Sequence, residues 1–156
     1  MEEYIYVNGT DKKCVNAIYR ILLRSGLHML GQGLFHWIKP YPKRAIATDC
    51  DSNKVVLVKD TTSGKFTSTF QMSIKDNNVL HVRKIATDPS FEGRGIGKKN
   101  MRYMEKYALA HGCTKISLDV YKKSMRAVNF YKKCEFVIVG ETKARFFSEY
   151  IMEKVI

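Results

Sequence analysis

The segment Glu92-Gly93-Arg94-Gly95-Ile96-Gly97-Lys98 carries the residue types best suited to holding an anion. Its three glycines let the backbone come close to a ligand and take positive φ where needed. The pattern after it is helical, so the helix's first N–H groups lack intrahelical partners and face the turn with the positive end of the helix dipole. Arg94 and Lys98 add mobile positive charge. A pyrophosphate is the natural occupant. Two other glycine patterns fit poorly. The dinucleotide fingerprint wants glycine at the first, third and sixth positions. Counted from Gly93 the sixth is Lys98, and counted from Gly95 it is Asn100, although Asp119 could serve as that fingerprint's acid. The nucleotide phosphate loop wants Gly-Lys-Ser/Thr, and here Gly97-Lys98 is followed by Lys99.

The elements around this turn must place it at the end of a strand. Val79 to Thr87 reads as that strand, stopped by Asp88-Pro89. From Gly95 to His111 the period turns helical, with Met101, Met104 and Ala108 on one face and Gly112 at the C-terminal position. Ile116, Leu118 and Val120 alternate as the next strand, completing a βαβ unit. Upstream, residues 4–7 form a short strand, and Asp11 caps a helix through Val15, Ile18 and Leu22 that ends near Gly26. Residues 31–53 read as irregular, broken by Gly31, Gly33, Pro40 and Pro42. Strands over 54–59 and 65–75 follow, the second ending in an Asp76-Asn77-Asn78 turn. A short helix spans about Ser124 to Lys133, and strands over 136–139 and 146–152 close the chain. The pattern predicts an α/β domain with a mixed sheet and helices on both faces.

Composition narrows the class further. A chain of 156 residues with 45% apolar content is sized for one domain with a real core. No run of 18 apolar residues occurs, so no membrane span is expected. Met1-Glu2-Glu3-Tyr4 lacks the basic and apolar regions of a signal peptide, which makes the cytoplasm the expected address. Cys14, Cys50, Cys113 and Cys134 have no metal-knuckle spacing and are expected as free thiols. No metal is expected. The net charge of +12 favours anionic partners. The basic excess lies at 80–104 and 121–133, flanking the glycine turn, and forms no tail. Charge alone also allows a nucleic-acid-binding domain, but no stacking platform or nucleic-acid motif accompanies it.

Read as an ordered set, these motifs resemble the GCN5-related N-acetyltransferase (GNAT) superfamily. Its cofactor motif, Gln/Arg-x-x-Gly-x-Gly/Ala between a strand and a helix, is matched by Glu92-x-x-Gly95-x-Gly97, with Glu in the leading place. The downstream Asn-x-x-Ala-x-x-x-Tyr followed by Gly-Phe is matched by Ser124-x-x-Ala127-x-x-x-Tyr131 and Glu135-Phe136, with Ser for Asn and Glu for Gly. Leu118-Asp119-Val120-Tyr121 is similar to members that read Leu-Asp at that point. The match runs over about residues 55–140.

The resemblance implies a single N-acetyltransferase domain over 1–156, built on a mixed, mostly antiparallel sheet of six to seven strands. In that fold the fourth and fifth strands splay apart to admit the cofactor arm. It implies acetyl-CoA as cosubstrate, coenzyme A as product and no metal. The cofactor arm would pair with the free edge of Arg83–Thr87, at Ile85, Ala86 and Thr87, as an added strand does. Pyrophosphate would lie on the amides of Gly93, Arg94, Gly95, Ile96, Gly97 and Lys98, and the adenine end near Lys122, Lys123 and Ser124.

Acetyl transfer requires a neutral amine, an oxyanion donor and a proton for the departing thiolate. The resemblance assigns these to a base at His81, to the N–H around Ala86 and to the Tyr131 phenol. Spacings of three and four put Ser124, Ala127 and Tyr131 on one helix face. Gly33-Leu34-Phe35-His36-Trp37 and Tyr41-Pro42 resemble a bacterial subgroup, which implies Trp37 and Tyr41 at the acceptor site. Tyr131, His81 and Trp37 can equally serve packing. The implied partner is a small-molecule or peptide amine, with neither nucleic acid nor membrane, and the protein would be a monomer or homodimer. A degenerate module that holds acyl-CoA without transfer is the competing reading, kept open by Glu92, Ser124 and Glu135.

Overall fold

Asp11 begins the first helix as its sequence suggests: its carboxylate accepts from the Cys14 N–H at 3.1 Å. In a computed structural model of the chain, which describes residues 1–37, 39–143 and 146–156, this helix, α1, runs from Lys12 to Gly31. It therefore passes the Gly26 where its end was expected. Its stop is Gly33, at φ 81°. There the N–H groups of Gly33 and Leu34 bond back to the carbonyls of Leu30 and Met29, satisfying the last orphan acceptors as a left-handed cap does.

Gly26 serves packing. A Cβ there would lie 2.8 Å from the carbonyl oxygen of Trp37. In an open helix Gly→Ala stabilises by about 1 kcal/mol. Here we expect Gly26→Ala to destabilise by about 1–3 kcal/mol through overpacking, read as a lower urea midpoint at unchanged m. A more stable Gly26→Ala protein would show that Trp37 is not packed against this helix.

A second correction falls within 31–53. Residues Lys43–Ser52 form a helix, α2, entered from Pro42 in the extended conformation. Proline at a helix start is a known signal, but α2 buries only Ile46, so it has almost no apolar stripe to read. The strands are β1 (Glu2–Tyr6), β2 (Lys54–Asp60), β3 (Phe66–Lys75), β4 (Val79–Thr87), β5 (Lys115–Tyr121), β6 (Val137–Lys143) and β7 (Ser148–Val155). Two further helices are α3 (Ile96–Ala110) and α4 (Met125–Lys133), and a 3-10 turn covers Pro89–Phe91. The Asn77-Asn78 turn has both residues at positive φ, 65° and 58°.

Seven strands form one sheet in the order β1-β2-β3-β4-β5-β7-β6. It is mixed and mostly antiparallel, and β4 runs parallel to β5. The parallel pairs are Val79↔Lys115, Leu80↔Ile116 and His81↔Ser117. Among the described residues they stop there, while β4 continues to Thr87 and β5 to Tyr121.

Contacts group the chain into two compact units, 1–73 with 84–97, and 74–83 with 98–156. In the first, α1 supplies Val15, Ile18 and Leu22, α2 supplies Ile46, β2 supplies Val55 and Leu57, and β4 supplies Ala86 to one buried cluster. Burial at this density stabilises by about 25 cal/mol per Å2 of apolar surface. In the second, Met101, Met104 and Ala108 of α3 are buried, as are Ile116, Leu118, Val128, Phe136 and Met152. All four cysteines are free thiols. No described helix is long and apolar enough to cross a membrane.

One backbone feature in β4 is not visible in the sequence. Lys84 has φ 52°, a left-handed conformation that costs a residue with a Cβ about 1–2 kcal/mol. A strand residue in that conformation re-aims its side chain and kinks the strand.

Candidate functional site

The glycine turn of the first unit is held from both sides. Arg24 Nε donates to Asp88 Oδ2 at 2.9 Å, and Asp88 Oδ1 accepts from Ser90 N–H at 2.9 Å and Ser90 Oγ–H at 2.6 Å. Burial works against the Asp88 carboxylate, but the Ser90 bonds and the Arg24 guanidinium outweigh it and hold its pKa below the usual carboxylate range. This clamp fixes the end of β4 and the 3-10 turn that leads into Glu92.

The Glu92 Oε2 lies 3.3 Å from His28 Nε2 on α1. The Arg94 guanidinium sits over the Phe91 ring at 5.1 Å. Gly93 and Gly95 have φ 74° and 76°, and a Cβ on either would meet nothing within 4 Å. The turn is therefore an open, exposed cradle that runs into the first residue of α3, buried Ile96. It has the glycine conformations and nearby cations that suit an oxyanion-rich group.

The first unit also holds a cavity of about 130 Å3. Leu22, Leu23, Gly26, Leu27 and Leu30 of α1 form one wall, and His36, Trp37, Lys39, Pro40, Tyr41 and Lys84 form the others. Tyr41 is anchored through its hydroxyl, which donates to Asp49 Oδ2 at 2.7 Å. The same oxygen accepts from Gln71 Nε2 at 2.9 Å. The Lys84 ammonium stands 4.3 Å from the Tyr41 ring centre and 5.9 Å from that of Trp37, a cation–π arrangement. Burial lowers the pKa of His36, so its imidazole is neutral at pH 7.

Trp37 and Tyr41 thus line one cavity, and both pack against the cluster that contains Ala86. Lys84, Lys39 and His36 also line the wall. No sequence pattern marks Lys84, because its left-handed φ is a tertiary property. Ile85 and Thr87, flanking Ala86 at the end of β4, are half-buried.

In the second unit His81 Nδ1 lies 3.0 Å from Ser117 Oγ across the β4–β5 pairing. Its pKa is lowered, first by burial, against the opposing pull of Asp119. It is therefore a neutral imidazole bound into the strand pair. Ser124 and Tyr131 both lie buried at opposite ends of α4. Ser124 stands at the N-cap position, but its side chain makes no cap bond. Its buried Oγ meets no hydrogen-bond partner among the described residues. A buried unsatisfied hydroxyl costs about 1–3 kcal/mol, which fits a group that waits for a ligand.

Tyr131 packs edge-on against Phe130 and Phe136, with ring centres 5.4 and 6.0 Å away. Burial pushes its phenol well above the usual tyrosine range. Glu135 takes φ 72°, the left-handed position after a helix that glycine normally fills. The N–H groups of Glu135 and Phe136 bond back to Lys132 and Tyr131, and the Glu135 carboxylate reaches Lys154 Nζ at 3.2 Å. The Glu-for-Gly departure is thus absorbed locally. Lys98 is exposed in the first turns of α3.

The chain is similar to known acetyltransferases. It is 27% identical over 90 residues to the glucosamine 6-phosphate N-acetyltransferase of Arabidopsis thaliana, over 54% of this chain and 58% of that relative. The alignment thus spans little more than half of the relative's length. The PaiA N-acetyltransferase of Thermoplasma acidophilum, solved in complex with coenzyme A, superposes with a TM-score of 0.81 at 15% identity, covering 100% of this chain and 99% of that one. Ard1 of Thermoplasma volcanium gives 0.80 at 18% identity, covering 99% and 97%. At these identities the structures show a shared fold. Residues 16–136 match the model of the acetyltransferase (GNAT) family, and the chain belongs to that family.

Proposed function

We propose that residues 1–156 form one acetyl-CoA-dependent N-acetyltransferase domain whose acceptor is a primary amine of a small molecule or peptide. The observation that carries this reading is the open Gly93–Gly95 cradle leading into α3, in a chain of this family. In the cradle the amides of Gly93, Arg94, Gly95, Ile96, Gly97 and Lys98 hold the pyrophosphate. Ile85, Ala86 and Thr87 offer backbone groups to the pantetheine arm, and the unsatisfied Ser124 hydroxyl offers a further polar contact. Acetyl-CoA supplies the thioester that the amine attacks.

The chain's own groups then act in turn. The aromatic cavity lined by Trp37 and Tyr41 orients the acceptor. An imidazole takes the ammonium proton: burial keeps both His81 and His36 neutral, and His36 lines the cavity. The Ala86 N–H stabilises the developing oxyanion. Tyr131, protonated across the physiological range, donates its proton to the departing thiolate sulfur, and its phenolate takes back the proton that the new amide nitrogen sheds.

The test is thiol release from acetyl-CoA against amino acids, aromatic amines, polyamines, aminoglycosides and peptides. Turnover with one class supports the proposal. A melting temperature raised by acetyl-CoA with no thiol release from any acceptor would favour the non-transferring acyl-CoA module. No response to acetyl-CoA, with salt-dependent binding to a random oligonucleotide, would favour the nucleic-acid reading.

A further inference from the structure

The first unit holds another cavity, of about 460 Å3, the size of a small-molecule site. One side is the 3-10 turn that leads into the glycine cradle, through Asp88, Ser90 and Phe91. The other walls are one face of α1 and the hairpin turn between β2 and β3.

Its charge is one-sided. Three cations line it, Arg20 and Arg24 of α1 and Lys65 of the hairpin, against one carboxylate, Asp88, among the described lining residues. That carboxylate already accepts from Arg24 and from the Ser90 N–H and hydroxyl. Arg24 gives Asp88 its Nε–H and an Nη2–H, and the rest of its guanidinium N–H groups remain for a ligand. Among the described residues no ion pair engages Arg20 or Lys65. Two arginines four positions apart on a helix repel each other, and an anion between them relieves that repulsion. The Arg94 guanidinium, over the Phe91 ring, adds to the positive field.

The cations are held in place by their elements. Arg20 and Arg24 share a helix face with Ala17 and Ile21. Lys65 is set by its turn: Asp60 Oδ2 accepts from the Ser63 N–H at 3.0 Å and the Ser63 hydroxyl at 2.6 Å. The Asp60 N–H closes that turn on the Lys65 carbonyl at 2.9 Å. Phe66 and Phe91 add two aromatic rings to the walls.

Three cations less one carboxylate leave an excess that suits a phosphate monoester, which carries about two negative charges at neutral pH. A carboxylate carries half as much. Guanidinium groups also hold phosphate oxygens through charge-assisted bonds. The apolar walls and two rings favour a planar, apolar group beside the phosphate. We propose that this cavity is a second ligand site, for a small organic phosphate. Arg20, Arg24 and Lys65 hold its phosphate, and its planar portion lies against Phe66 and Phe91. The site shares no residue with the cradle, and its occupant touches the turn that the Arg24–Asp88 clamp fixes.

Phenyl phosphate, benzoate, phenol and inorganic phosphate are titrated into the full chain by calorimetry, so the readout is independent of acetyl transfer. Phenyl phosphate should bind about tenfold or more tightly than each of the other three, because it alone has both the dianion and the ring. Gly95→Asp, which closes the cradle to anions, should leave that binding unchanged. Arg20→Glu and Lys65→Glu should each weaken it about fivefold or more, and together they should abolish it. Both positions are exposed, so the variants should fold, and melting temperatures check that they do. Where a charge reversal lowers the melting temperature, Arg20→Gln and Lys65→Gln should give the same order with smaller losses.

Parental affinity in the double variant overturns the proposal. So does loss of binding in folded Gly95→Asp, which would place the phosphate in the cradle. Equal affinity for inorganic phosphate removes the ring from the site, and equal affinity for benzoate removes its selectivity for phosphate. An absence of saturable heat with phenyl phosphate removes the site altogether. Each of these results overturns the proposal.

Discussion

Tyr131→Phe should slow acetyl transfer by roughly 10²–10⁴-fold, the usual contribution of one positioned acid. The substitution removes a hydroxyl and keeps the ring that packs against Phe130 and Phe136. Stability should therefore stay within about 1.5 kcal/mol, the range of a single hydrogen bond, and acetyl-CoA affinity should hold. The loss belongs in kcat, because the proton is needed as the thiolate leaves. Where product release limits turnover the steady-state loss shrinks, so single-turnover rates are the better measure.

The pH dependence has a definite sign. Burial raises the Tyr131 pKa above its ordinary value of 10.0, so the phenol is protonated throughout neutral and mildly alkaline pH. Its stabilising preference for the neutral form is complete below the unfolded pKa and fades only as pH rises through the higher folded value. The parent kcat should accordingly show no alkaline fall owed to Tyr131 below about pH 10. Parental single-turnover rates in Tyr131→Phe would remove this residue from the mechanism. So would an alkaline limb below pH 10 that vanishes in the variant, because it would place the ionising phenol at an ordinary pKa.

Gly95→Asp should abolish the stabilisation that acetyl-CoA gives. A ligand at 100 times its Kd stabilises by about 2.7 kcal/mol, which in a chain of this size is about 5–10 °C in Tm. Gly95 sits at φ 76°, with open space where a Cβ would be. A Cβ there has no protein atom within 4 Å, so the variant should fold, at a cost of about 1–2 kcal/mol for the left-handed backbone. The side chain would project into the cradle with a negative charge. Gly95→Asn has the same shape and tolerates left-handed φ, so the difference between the two isolates the charge. Asp should eliminate the Tm shift and Asn should keep part of it. A full shift in a folded Gly95→Asp protein would mean that the pyrophosphate lies elsewhere.

Sequence by itself determined the parts of this protein that depend on local rules. Alternation along 79–87 and 116–120, with helical period between them, is enough to place a βαβ unit, because strand and helix periods are properties of neighbouring residues. The glycine cradle was legible for the same reason, since turn, helix start and cations lie within seven consecutive positions. The positions of Ser124, Tyr131 and Glu135 on and after α4 followed from spacing.

Tertiary structure alone decided the rest. Helix α1 runs past Gly26, where glycine serves packing instead of termination: the Trp37 carbonyl fills the space that a Cβ would take, a contact eleven positions away that no helical period encodes. Helix α2 escaped notice because a helix that buries one residue carries no stripe. Glu92 meets His28, a residue 64 positions distant that no local pattern connects to it. Lys84 reads as an ordinary strand residue, and its left-handed φ turns it onto Tyr41 and Trp37. The sequence could name an anion cradle because that needs only consecutive amides. It could not assemble the aromatic cavity, whose described walls come from α1, from His36, Trp37 and Tyr41 and from Lys84, because only folding sets the distances between segments so far apart.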